Sequence, residues 1–248
     1  MKRWLTGAFA AAMFAAGQGN LLAMQKSPEG GLSSSAVTPP ALRSVELHMR
    51  QPGPGVVLTF DACDGKTDWD LLNFMIDHRV HATFFVSGRW MKGNPAAVEA
   101  IRNNLDLFQV ENHGWMHEEA VLRQQGDYNL RTVETLQGLA REVDLDAGMI
   151  RKKFDVSPTW YRSAGALYDE ASERWLKDHG WKIAGFSIAA DGGGRASASR
   201  IVRNMEKAAP GDVLLMHINR PQSHAYEGFV RGFGEWEKKK LRVVPLHS

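Results

Sequence analysis

Three short runs of this 248-residue chain carry side chains able to activate water, hold a cation or move a proton. The run Asp61-Ala62-Cys63-Asp64-Gly65 follows the apolar stretch Val56 to Phe60 and sets two carboxylates beside a thiol. Carboxylates act as bases or ligate divalent cations, and carboxylate and thiolate both ligate zinc. The plain alternative is an Asp-Gly turn after a strand. Glu111-Asn112-His113-Gly114-Trp115-Met116-His117 contains the spacing H-x-x-x-H. That spacing predicts two imidazoles on one side of a helical turn, as a divalent cation requires, against the alternative of two surface histidines. Joined by an Asp from the first run, His113 and His117 would form a His₂Asp set with open positions for water, which is catalytic rather than structural in kind. Leu214-Leu215-Met216-His217 ends an apolar run on an imidazole, either a core residue with one hydrogen bond or a proton carrier. Arg162 follows Thr159-Trp160-Tyr161, and Asp191 follows Gly185 to Ala190; each alone reads as an ordinary surface charge. Five strand-like runs that each end in Asp, His or Arg are harder to dismiss together.

Such convergence requires strands whose carboxyl ends share one edge. Short β-like runs alternate with helical patterns: Val56 to Phe60, Ala82 to Val86, Phe108 to Glu111, Thr159 to Tyr161, Lys182 to Ile188, Val213 to His217 and Arg242 to Pro245 are the predicted strands. Predicted helices cover Trp69 to His78, Ala96 to Asn104, Tyr128 to Val143, Glu170 to Asp178, Ser199 to Lys207 and Tyr226 to Lys238. The alternation argues for parallel βαβ units, and about seven of them suggest a closed or nearly closed α/β barrel. A doubly wound open sheet is the alternative, but no glycine-rich dinucleotide fingerprint follows the first strand. In both architectures chemistry belongs at the carboxyl ends of the strands. Thr59 and Asp61 share one strand face by the period of two.

With 44% hydrophobic and 23% charged residues, the chain fits one globular domain that needs no disulfide staples. The single cysteine, Cys63, excludes an intrachain disulfide framework. A formal net charge of +2 is too mild to point to nucleic acid. Lys2 and Arg3 precede an uncharged apolar run from Trp4 to Ala16, the pattern of an export signal and too short for a comfortable membrane span. Residues 1–23 are therefore expected to be a signal peptide cleaved after Ala23, leaving a periplasmic or secreted protein without stable membrane insertion. An uncleaved anchor is the alternative. The Ser-, Gly- and Pro-rich residues 24–41 read as a flexible linker, and 42–248 as the catalytic domain.

The chain resembles the polysaccharide deacetylases, the NodB-like carbohydrate esterases of family four. Five motifs carry the likeness: Thr59-Phe60-Asp61-Ala62-Cys63-Asp64-Gly65, then Asn112 to His117, Tyr161-Arg162-Ser163-Ala164-Gly165, the segment around Asp191, and Leu214 to His217. The second and fifth, in this order and spacing, are specific; the third and fourth are looser. The resemblance implies a distorted (β/α)7-type barrel that removes acetyl groups from a glycan by metal-activated water. It implies a divalent metal, usually zinc, on Asp64, His113 and His117, with Asp61 as base. His217 would protonate the leaving amine, Arg162 would orient the base, and Asp191 would tune His217.

The sequence departs from the family at three places. Ala62 and Cys63 separate two Asp residues that the family keeps adjacent, which leaves open an exchange of roles between Asp61 and Asp64 or an approach of Cys63 to the metal. The third motif lacks the proline and aromatic after Arg162, and Gly192-Gly193-Gly194 stands where a tryptophan is common. Trp115, inside the metal motif, is a candidate for lining the site, whereas Trp90, Trp160 and Trp181 read as packing. Two other functions stay open: an amidase or esterase for a small molecule using the same water, and a non-catalytic glycan-binding relative.

Overall fold

The computed structural model describes residues 45–124, 126 and 130–246. The expected signal at 1–23 and linker at 24–41 lie outside the described residues. Among the described residues no helix is long and apolar enough to cross a membrane.

The frame of the site is a curled parallel sheet. Its strands are β2 (Val56–Ala62), β3 (Ala82–Val86), β4 (Phe108–Asn112), β5 (Trp160–Tyr161), β7 (Lys182–Ile183), β8 (Ile188–Ala189) and β9 (Val213–His217). They pair in the order β7-β5-β4-β3-β2-β9-β8, and β10 (Val243–Val244) pairs with the start of β2. Every residue of β2 is buried, as expected of a central parallel strand covered on both faces. Its alternation sorts the two cores. Leu58, Phe60 and Ala62 pack outward among the first cluster with Phe84, Phe229 and Trp236. Val57 joins Phe85, Val213 and Leu215 in the second. Thr59 and Asp61 alternate with the outward set, so the polar pair shares the face opposite to it, as the period of two requires.

The expected α/β barrel of about seven strands is the observed architecture, and it stays open between β7 and β8. The run Lys182 to Ile188, expected as one strand, is broken there. Leu47 and Met49 enter beside it, exchanging backbone hydrogen bonds with Phe186 of 2.9 and 3.2 Å. At Gly185 the Leu47 carbonyl approaches so closely that no Cβ would fit. The preceding strand β1 (Val45–Glu46) pairs antiparallel with β6 (Leu167–Tyr168), a two-residue match too short for periodicity to reveal.

The helices are α1 (Trp69–Asp77), α2 (Gly88–Gly93), α3 (Pro95–Arg102), α4 (Leu136–Phe154), α5 (Glu170–Asp178), α6 (Ala198–Glu206) and α7 (Ala225–Lys238). Five follow the sequence pattern within two residues at each end. Helix α2 was not expected: six residues bounded by glycines show no period, and its start is set by the Ser87 side chain accepting from Trp90 N–H. Helix α4 begins later than the pattern at Tyr128, because extended Thr135 caps it by accepting from Gly138 N–H. It also runs eleven residues beyond Val143, to Phe154, along the buried stripe Leu139, Val143, Ala147, Ile150 and Phe154.

Candidate active site

Register places the chemistry. Asp61 on β2 is paired with His217 on β9, and Val86 on β3 with Asn112 on β4, which in turn is paired with Tyr161 on β5. All of these strands are parallel, so Asp61, His113, Arg162 and His217 leave the sheet at one edge.

Arg162 is fully buried, yet three acceptors hold it. Its guanidinium donates to Thr59 Oγ1 at 2.9 Å, to Asp61 Oδ1 at 2.8 Å and to the Gly185 carbonyl at 2.7 Å, and it lies 4.0 Å over the Phe85 ring. Burial alone would raise the Asp61 carboxyl, but the positive charge around it, with the Arg162 guanidinium bonded to it directly, outweighs that and holds Asp61 below the usual carboxylate range. Asp61 is thus an ionised acceptor fixed by one oxygen, with its Oδ2 3.5 Å from His113 Nε2.

His113 is buried, and its Nδ1 donates to the Arg162 carbonyl at 2.7 Å. That bond assigns the tautomer and makes Nε2 the acceptor nitrogen, turned towards Cys63 Sγ, the usual outer-sphere arrangement for a metal-binding imidazole. Burial lowers its pKa, only partly opposed by Asp61, so the ring is neutral as ligation requires. His117 lies beside it, with ring centroids 4.7 Å apart. The two do not share a helical turn, contrary to the expectation from spacing. The segment is a loop, turned by Gly114 at φ 83° and His117 at φ 60°. Left-handed backbone at two positions curls the chain enough to face the rings together without a helix.

Cys63 Sγ is 3.6 Å from His113 Nε2, and one donor atom from each of Cys63, His113 and His117 lies within 4.8 Å of the others. Burial pushes the Cys63 thiol up, but His117 and His217 more than compensate and bring it to about 7. A thiol and two imidazoles are a donor set suited to a divalent cation such as zinc. Asp64 is not drawn into this group. Its side chain is 42% exposed and pairs with Arg89 at 3.0 Å.

His217 Nδ1 lies 3.1 and 3.2 Å from the Asp191 oxygens, and Asp191 also accepts the His217 backbone N–H at 2.8 Å. Burial disfavours a charged imidazole here, but the Asp191 carboxylate overrides it and lifts the pKa well above the ordinary histidine value. His217 is therefore a protonated ring facing an ionised Asp61 across paired strands.

Sequence reading did not single out the two carboxylates that hold the histidine loop. Glu142 on α4 accepts from Met116 N–H at 2.9 Å and Glu118 N–H at 3.0 Å, and Asp146, one turn on, accepts from His113 N–H at 3.2 Å. Their signal was present: both acids sit among the apolar positions Leu139, Val143 and Ile150, where a carboxylate must find donors. Outside this loop lies a cavity of about 470 Å³ lined by Trp115, Met116, Glu118, Arg131, Arg141 and Leu145, with none of the Cys63, His113 or His117 side chains in its wall. Trp90 is fully buried, whereas Trp115 is half-buried beneath Lys92 Nζ at 3.9 Å.

The family model for polysaccharide deacetylase matches residues 48–184. A peptidoglycan-N-acetylglucosamine deacetylase from Bacillus cereus is 30% identical over 178 residues, 68% of this chain; the match spans 61% of that relative's length. Among solved structures, a family 4 carbohydrate esterase from Streptomyces lividans aligns with a TM-score of 0.63 at 21% identity, covering 79% of this chain and 94% of that one. A family pseudoenzyme from Bacillus anthracis aligns with a TM-score of 0.62 at 20% identity, covering 79% of this chain and 66% of that one. Both structural likenesses concern the fold.

Proposed function

We propose, from the premise that this chain belongs to the polysaccharide deacetylase family, that it is an exported hydrolase that removes acetyl groups, foremost N-acetyl groups, from a glycan. In this reading a divalent cation, zinc by its donors, is held by His113, His117 and a third donor from the turn after β2. The observation that carries the reading is the placement of Asp61 and His217 opposite each other on paired strands, the one oriented by Arg162 and the other by Asp191.

When bound, the cation makes water acidic enough to attack near neutral pH and polarises the acetyl carbonyl. Asp61 accepts the proton of the attacking water through the carboxylate that Arg162 orients. His217, held through Nδ1 by Asp191, donates its Nε2 proton to the departing nitrogen. Amide nitrogen is a poor leaving group unless protonated, so an acid opposite the base is what N-deacetylation requires. The same geometry supports O-deacetylation, in which the acid matters less.

The Bacillus cereus relative acts on peptidoglycan N-acetylglucosamine by its name, and we extend that substrate class to this chain together with the export signal at 1–23. One fold relative is a pseudoenzyme; the retention here of the paired imidazoles, His113 and His117, and of the His217–Asp191 pair favours turnover over glycan binding alone. The test is acetate release from peptidoglycan, chitin oligomers and acetylated xylan, with and without chelator. Release from the N-acetylated glycans, abolished by chelator and restored by zinc, is expected. Undiminished release in a metal-free preparation would overturn the mechanism, and release from none of the three would overturn the glycan assignment.

A further inference from the structure

We infer that the third protein ligand of the metal is the Cys63 thiolate and that Asp64 serves outside the coordination sphere, on the rim with Arg89. This rests on the metal-dependent reading above and names a ligand that reading leaves open.

Distance argues first. A tetrahedral zinc with bonds of about 2.1 Å to nitrogen and 2.3 Å to sulfur separates those two ligand atoms by about 3.6 Å. The observed separation of Cys63 Sγ from His113 Nε2 is 3.6 Å. Donors from Cys63, His113 and His117 lie mutually within 4.8 Å, so three atoms from two strand ends already surround one point.

The supports of each side chain argue next. Cys63 is 5% exposed, and its backbone is pinned: the Ser87 hydroxyl donates to the Cys63 carbonyl while Ser87 N–H donates to the Ala62 carbonyl at 3.1 Å. His113 is oriented through Nδ1 by the Arg162 carbonyl. The Asp64 carboxylate is 42% exposed and engaged by Arg89 at 3.0 Å. Bringing Asp64 inward would break that pair and displace the sulfur.

A thiolate with two imidazoles makes a softer centre than a carboxylate with two imidazoles. It selects zinc over hard cations such as magnesium or manganese, and it leaves the fourth tetrahedral position for water or substrate. Asp64, free of the metal, stays half-exposed in its pair with Arg89.

Cobalt reports the ligand directly. Full-length protein, stripped of metal and reloaded with one equivalent of Co²⁺ under reducing conditions, is expected to show intense near-ultraviolet thiolate-to-cobalt charge-transfer absorption. Asp64→Asn should keep that band and the zinc stoichiometry. Cys63→Ser should lose the band and bind zinc more weakly by more than about 100-fold, beyond the roughly 10- to 100-fold cost of losing an outer-sphere partner. The wild-type spectrum needs no variant, so a folding defect in Cys63→Ser cannot blur the result. Cobalt bound without the band, or a band that survives Cys63→Ser, overturns thiolate ligation and leaves the metal-dependent reading standing. Failure of the wild-type chain to bind either cobalt or zinc overturns both.

Discussion

Nδ1 of His217 faces both oxygens of Asp191, and a ring held at that nitrogen can only offer Nε2 to a substrate. The proposed acid therefore owes its charge and its aim to a partner elsewhere in the chain. His217→Ala is expected to keep bound metal while slowing amide hydrolysis by about 10²- to 10⁴-fold, the usual worth of general acid catalysis. An acetyl ester with a good leaving group should be slowed far less, and rates on paired amide and ester substrates check this. Equal losses on both would remove the acid role. Much of this was readable from single residues: an imidazole ending an apolar run, and carboxylates following a strand, already suggested proton transfer and ligation. Which side chain of the turn Asp61 to Gly65 faces inward was not readable, because neighbouring turn positions point in different directions and only packing against Ser87 and Arg89 selects among them.

Helix α4 shows the same dependence for an element. Its apolar stripe marked it as a helix packed on the barrel, but its function at the site comes from Glu142 and Asp146, which take the backbone N–H groups of the His113–Glu118 loop. Burial pushes Glu142 up to about 7 despite the N–H donors of Glu118 and Met116, while Asp146 is raised well above the carboxylate range by burial and by Glu142 itself. Between the ordinary glutamate value of 4.5 and about 7, the folded chain keeps a proton that the unfolded chain has released. Stability therefore falls as pH rises through that window. Glu142→Gln should flatten the fall by about 3 kcal/mol, read from urea unfolding at pH 4.5 and pH 7.5. An unchanged slope would mean that Glu142 titrates normally. Helix α2 and the break in the strand at Gly185 escaped the sequence for a related reason. Six residues that begin and end in glycine have no period to detect, and a backbone approach by Leu47 is a long-range event.

For the whole molecule, the candidate centre ties the turn after β2 to the loop after β4, so a bound cation would cross-link two separate βα units. A ligand that binds only the folded state stabilises it by about 2.7 kcal/mol at a free concentration 100 times its Kd. In a chain of this size that corresponds to a rise of roughly 5–10 °C in Tm. Zinc-loaded protein is therefore expected to melt higher than chelator-treated protein by that amount, and calorimetry of both forms checks it; identical midpoints would argue that no structural cross-link forms. The chain by itself determined the architecture and the polar inventory of the site. Period-two and period-3.6 patterns are local properties that survive without tertiary contacts, and strand-end Asp and His residues are visible wherever such a pattern stops. Only the tertiary structure decided how the barrel opens at Gly185, how two left-handed residues rather than a helix bring His113 and His117 together, and why Cys63 rather than Asp64 faces them. Those outcomes depend on close approach between segments distant in sequence, where space and hydrogen-bond partners are allotted by the fold.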